Sequence, residues 1–156
     1  MTALELVEDL ADELGKVLGH LAFPDELSGE TTGISVYQFG IPVEETRGDR
    51  RKKFPYVLIL PDEGAVESAS SPWSVRVQLL IGIFDDGKEN QGKRHVLNVI
   101  HDVCERFLRD PVLAGRYYAD EGITWVVDKE EEHPYHYGAV WLSFVAAAFR
   151  RENELA

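Results

Sequence analysis

The sequence predicts an α+β fold: a mostly antiparallel sheet of about five strands with two helices packed on one face, in the order α-β-β-β-α-β-β. Three observations predict it. Two segments repeat apolar residues at three- and four-residue steps, and about five carry short β-prone runs. Successive strands are mostly joined without an intervening helix, which favours antiparallel neighbours. The chain has 156 residues, enough for one domain, 1–156, with a core of its own.

The first helix is read from "TALELVEDLADELGKVLGHLAF". Thr2 followed by Glu5 has capping-box spacing, and Leu4, Val7, Ala11, Leu14, Leu18 and Leu21 make the apolar stripe. "PDELSGETTG" reads as a loop. Strands are expected over Ile34–Phe39 and Phe54–Leu60, separated by a polar loop from Pro42 to Lys53. "DEGAVESASSP" reads as a flexible connector of small and acidic residues.

"WSVRVQLLIGIF", Trp73 to Phe84, is the clearest strand, because Trp73, Val75, Val77, Leu79, Ile81 and Ile83 make one face wholly apolar. The second helix is expected over Gly92–Arg109 on a stripe of Val96, Val99, Ile100, Val103, Phe107 and Leu108, stopped by Asp110-Pro111. "VLAGRYYADEG" reads as a loop, "ITWVV" (Ile123–Val127) as a strand, and the last strand runs from about Tyr137 to Phe149. On that strand Tyr137, Ala139, Trp141 and Val145 share one face, and Val140, Leu142, Phe144 and Ala146 the other.

Charge excludes one class of function. With 28 acidic and 16 basic residues the net charge is −12, which argues against affinity built on phosphate neutralisation. The concentrated exception is "RGDRRKK", Arg47 to Lys53, with five basic residues and one acid. Its Arg47-Gly48-Asp49 tripeptide is weak evidence of adhesion. The single Cys104 and an acidic amino-terminal stretch suit a soluble intracellular protein without a signal peptide. The longest uncharged apolar run, Gly138 to Phe149, is about half of the roughly 20 residues a membrane-spanning helix needs.

Candidate chemistry is sparse. His133 and His136, preceded by three glutamates, could ligate a metal, with Asp85 and Asp86 brought near by the fold. The pair has no third ligand at useful spacing, so "HPYHYG" reads as an aromatic turn into the last strand. Cys104 lies on or beside the second helix's apolar stripe, where burial makes a thiol inert, and His101 points away from it. There is no phosphate-cradling Gly-rich loop, nucleophile elbow or HExxH. No catalytic, cofactor-binding or metal-binding residue is assigned, and the chain reads as no enzyme.

The strand "VQLLIGIFDD", the helix "GKRHVLNVIHDVCERFL", the loop "DPVLAGRYY" and the turn-plus-strand "HPYHYGAVWLSF" resemble the tail terminator (tail completion) proteins of long-tailed bacteriophages and prophages. The likeness covers roughly Trp73 to Arg150. It implies a structural virion protein, assembled in the host cytoplasm, that closes into a homo-oligomeric ring, six-fold in the family. That ring would cap the tail tube protein and offer its other side to the head-tail connector. It implies no cofactor, no membrane, and DNA only passing through the lumen, which an acidic chain suits.

The subunit interface is expected on the sheet face carrying Tyr137 and Trp141, and the tail-tube contact at Arg47, Arg50, Arg51, Lys52 and Lys53. Another head-completion or baseplate-proximal phage protein is the alternative, and a host enzyme or regulatory domain a more distant one.

Overall fold

The computed structural model describes residues 2–25, 30–42, 49–87, 89, 91–130 and 133–146. Helix α1 spans Ala3–Val17, followed by strands β1 (Phe23–Asp25), β2 (Glu30–Thr32) and β3 (Ser35–Gln38). The short helix α2 (Asp49–Lys52) precedes the long strands β4 (Tyr56–Ala65) and β5 (Trp73–Phe84). Helix α3 (Gly92–Arg109), the short strands β6 (Val112–Leu113), β7 (Tyr117–Ala119) and β8 (Thr124–Val127), and β9 (Tyr135–Ala146) complete the order.

The class is the expected one, an α+β fold with a mostly antiparallel sheet, but the count is not. Seven strands form one sheet in the order β3-β4-β5-β9-β7-β6, with β8 also pairing with β9. Strands β1 and β2 make a separate ribbon inside the stretch read as a loop. Strands β6 and β7 likewise fold from the expected "VLAGRYY" loop, and α2 is a helix within the expected loop from Pro42 to Lys53. These pieces are two to four residues long, too short to show a period. The first four residues of the "DEGAVESASSP" connector are instead the outer end of β4, paired with β5 through Ala65↔Ser74. One pair is parallel: β3 lies along β4, Ser35 opposite Tyr56. A parallel pair needs a crossover, and the chain from Phe39 to Phe54, with α2 in it, supplies one. The expected final residues of the last strand, 147–149, lie outside the described residues.

Capping and burial explain the two long helices. The Thr2 hydroxyl accepts from Glu5 N at 3.1 Å, satisfying one of the amides a helix start leaves unpaired. Leu6, Val7, Leu10 and Leu14 of α1 are buried, as are Val96, Val99, Ile100, Val103 and Phe107 of α3. They share one cluster with Val57 and Ile59, with Val77, Leu79, Ile81 and Ile83, and with Val140, Leu142 and Phe144. Each strand contributes alternate residues, as a pleat requires. The register joins them across the sheet, Ile59 beside Leu79 and Leu79 beside Val140. A fully buried leucine or isoleucine of this kind contributes about 1.5–3 kcal/mol. Gly138 lets α3 approach β9: a Cβ there would stand 2.5 Å from the Val96 side chain. Across the helices, Arg106 Nε donates to Glu13 Oε1 at 2.6 Å.

Candidate functional site

The chemistry-bearing residues singled out in the sequence gather at one end of the sheet, where β5 ends and β9 begins. Phe84 lies opposite Tyr135, Ile83 opposite His136 and Gly82 opposite Tyr137. Asp85 N donates to Pro134 O at 2.9 Å, so the two aspartates do come beside the HxxH turn. Strand alternation then sets His136 apart from its neighbours Tyr135 and Tyr137. His136 packs towards Gly92 at the start of α3, where an added Cβ would collide with its ring. Tyr135 and Tyr137 point to the opposite side, while His133 is exposed.

The rings of His133 and His136 are 6.1 Å apart, centroid to centroid, and nearly perpendicular. Asp85 is occupied with a turn, its Oδ1 accepting from Gly87 N at 2.9 Å. Asp86 Oδ1 and His136 Nε2 are buried without a protein hydrogen-bond partner among the described residues. Among the same residues, no three His, Cys, Asp or Glu side chains are grouped as a metal site.

The other side of this end is an arginine–aromatic cluster. Phe54 stacks at 4.9 Å from both Tyr56 and Tyr135 and at 6.0 Å from Tyr137. Gly82 makes the room, since a Cβ there would come 2.5 Å from the Tyr56 ring. Helix α2 lies over this cluster. The Arg50 guanidinium is 4.0 Å from the Tyr135 ring centre and donates to Tyr137 Oη at 2.7 Å. Arg51 covers Phe84 at 4.2 Å. Burial, with Tyr137 close by, pushes the Tyr56 phenol up to about 12, Arg50 acting in the opposite direction.

The basic run is thus divided between packing and solvent. Arg50 and Arg51 are committed to aromatic rings, Lys53 Nζ bonds Pro42 O, Lys52 is exposed, and Arg47 lies outside the described residues. Tyr137 is tied to Arg50, and half-buried Trp141 has the Arg76 guanidinium 5.9 Å from its ring centre. Sequence reasoning had no signal for the arginine staples, because the partners are distant in the chain, Arg50 and Tyr137 being 87 residues apart.

Cys104 is half-buried beside the core, and burial raises its thiol above the ordinary range. His101 instead faces Glu105, Nε2 to Oε2 3.5 Å, on the exposed side of α3. A contact not foreseen joins His20 to Asp102, Nε2 to Oδ2 3.2 Å, at ion-pair distance but without hydrogen-bond alignment. The same ring has Nδ1 3.0 Å from Val17 O.

Apolar surface is left at the sheet margins. Trp125 and Val126 on β8 are 51% and 45% exposed, and Phe39, just past β3, is 47% exposed. No protein-family model matches the chain, and no curated protein matches it either.

Proposed function

We propose that this chain is the structural subunit of a ring, six-fold in the family it resembles, that ends a phage tail tube and offers its other side to the head connector. The observation that carries the reading is the sheet surface turned away from the main core. In this reading α1 and α3 both cover one face, because each strand's residues in the helix-lined cluster belong to one alternation. The other alternation runs as a row through Tyr37, Leu58, Leu80, Ala139 and Val126, with Trp141 beside it. Leu58 and Ala139 are already buried within the chain, Tyr37, Leu80 and Trp141 are half-buried, and Val126 is exposed. Neighbouring subunits cover what this row and the sheet margins leave apolar. The subunit performs no chemistry and holds no cofactor; its work is contact.

Two supports are independent of each other. The likeness of the stretch from Trp73 to Arg150 to tail terminators rests on a strand, helix and turn pattern. The net charge of −12 suits a conduit that DNA crosses without adhering. The tube-facing contact is assigned to the basic run, in which Lys52 is exposed.

Sedimentation of the full-length protein with isolated tail tubes tests this reading. The protein is expected to pellet with tubes in moderate salt, and Lys52→Glu with Lys53→Glu is expected to weaken that binding. Protein that stays in the supernatant with tubes at every salt concentration contradicts it.

A further inference from the structure

The two lateral edges of the sheet are complementary to each other, and we propose that copies of this chain join edge to edge, β8 of one against β3 of the next. The proposal names the subunit contact of the ring and rests on that reading. Among the described residues, β3 pairs only with β4 and β8 only with β9.

The backbone directions follow from three bonds. Ser35 N donates to Pro55 O and Phe39 N to Ile59 O, so the alternation Ser35, Tyr37, Phe39 bonds inward to β4. The amides and carbonyls of Val36 and Gln38 therefore turn away from β4, the Gln38 carbonyl already accepting from Gly40 N at 2.8 Å. On the far edge Asp128 N donates to Tyr137 O, which makes Asp128, Val126 and Thr124 the inward-bonded residues of β8. Trp125 and Val127 therefore point outward.

These outward groups match in direction, level and face. Strand β3 runs with β4, β4 against β5, β5 against β9 and β9 against β8, so β3 and β8 are antiparallel when copies sit side by side. Following the register across the sheet, Val36 is level with Val57, Ile81, Gly138 and Val127. Gln38 is level with Ile59, Leu79, Val140 and Trp125. Side by side without slip, Val36 faces Val127, exchanging both N–H···O=C bonds, and Gln38 faces Trp125, donating its amide to the Trp125 carbonyl. Between them Tyr37 meets Val126, an aromatic with a β-branched partner of the kind that stabilises cross-strand pairs. Val36 and Val127 both border the helix-lined core, so the joint would continue that core.

The outline of the edges fits as well. On one margin β9 carries β8 at Gly138–Trp141, and β7 with β6 outside it at Phe144–Ala146. On the other, β4 carries β3 at Tyr56–Ile59, while its Glu63–Ala65 end pairs only with β5 among the described residues. Joining the margins leaves a gap of two strands at both levels. One level is filled by β8 and the neighbour's β3, the other by β7 and β6. Strand β6 then lies along the neighbour's β4, Val112 level with Ala65. A contact between unlike edges is heterologous, and it ends in a ring when the rotation closes.

Proline tests this without disturbing the host strands, because Gln38 and Trp125 do not use their amides within the subunit. Full-length Gln38→Pro and Trp125→Pro are each expected to keep the wild-type circular dichroism and to drop to the 17.6 kDa monomer by light scattering. Mixed, they are expected to give a dimer of about twice that mass, since each retains the edge the other lacks. A second probe covers loss of folding in the proline variants. In Cys104→Ala protein, Tyr37→Cys with Val126→Cys places Cα atoms about 4.5 Å apart across the joint, within disulfide range. Oxidation is expected to give a ladder of linked subunits, and Tyr37→Cys alone is expected to give none. If the wild type assembles while folded proline variants assemble equally and the paired cysteines do not link, the edge joint is wrong and the ring reading stands. If the wild type is a monomer at all concentrations, both fail.

Discussion

At the residue scale, glycines and tyrosines carry the sharpest consequences. Gly138 sits where α3 presses on β9, with Val96 and the Val126 carbonyl both too near for a methyl group. Gly138→Ala is expected to cost about 1–3 kcal/mol as overpacking, seen as a lower melting temperature. Gly122→Ala, with nothing within 4 Å of its would-be Cβ, is the control. Tyr56 sets an alkaline limit. Its phenol is held up to about 12 in the folded chain against 10.0 ordinarily, so the unfolded chain gives up this proton first. The stability it contributes is whole below pH 10 and is lost as pH rises through about 12. Tyrosinate absorbance should show a late-titrating phenol among the six tyrosines, and Tyr56→Phe should remove it together with part of the alkaline destabilisation. The alternation of "HPYHYG" was legible in the sequence, and it alone separates His136 from Tyr135 and Tyr137. That Arg50 would close over Tyr135 was not, because nothing local joins residues so distant in the chain.

At the element scale, length decided what could be read. Helices α1 and α3 and strand β5 repeat their period often enough to declare themselves, and β5 buries the alternation its sequence marks. Strands β6 and β7 do not, although a turn signal was present. Ala114 and Gly115 take φ of 54° and 66°, as in a tight hairpin turn, and Arg116 N donates to Leu113 O across it. Helix α2 is a single turn of Asp49–Lys52, below the length at which a helix is stable alone. Its arginines hold it down. Arg50→Ala removes the bond to Tyr137 and the ring contact with Tyr135, and is expected to cost on the order of 1 kcal/mol. Thermal melts should show that loss, and Arg50→Lys should recover less than half of it, because a lysine lacks the planar guanidinium that stacks on a ring. An unchanged melting temperature in Arg50→Ala would mean that this end of the sheet is held without Arg50, by the aromatic contacts and by Arg51 over Phe84.

At the scale of the whole molecule, two long helices and a seven-stranded sheet share a single hydrophobic cluster. Exposed apolar residues remain both on the helices, at Leu4, Leu97 and Leu108, and at the sheet margins, at Phe39, Trp125 and Val126. A net charge of −12 favours solubility while apolar margins remain open. The class of fold was legible because class depends on which elements recur. The strand order, the parallel β3–β4 pair and the offset edges were not, because they depend on pairings between distant segments. Negative-stain images of the purified protein, alone and mixed with tail tubes, are the decisive test of the proposed ring-forming tail terminator. Closed rings of one size are expected, with a ring seated on one end only of each tube. Particles that never close into rings and leave both tube ends bare would contradict it.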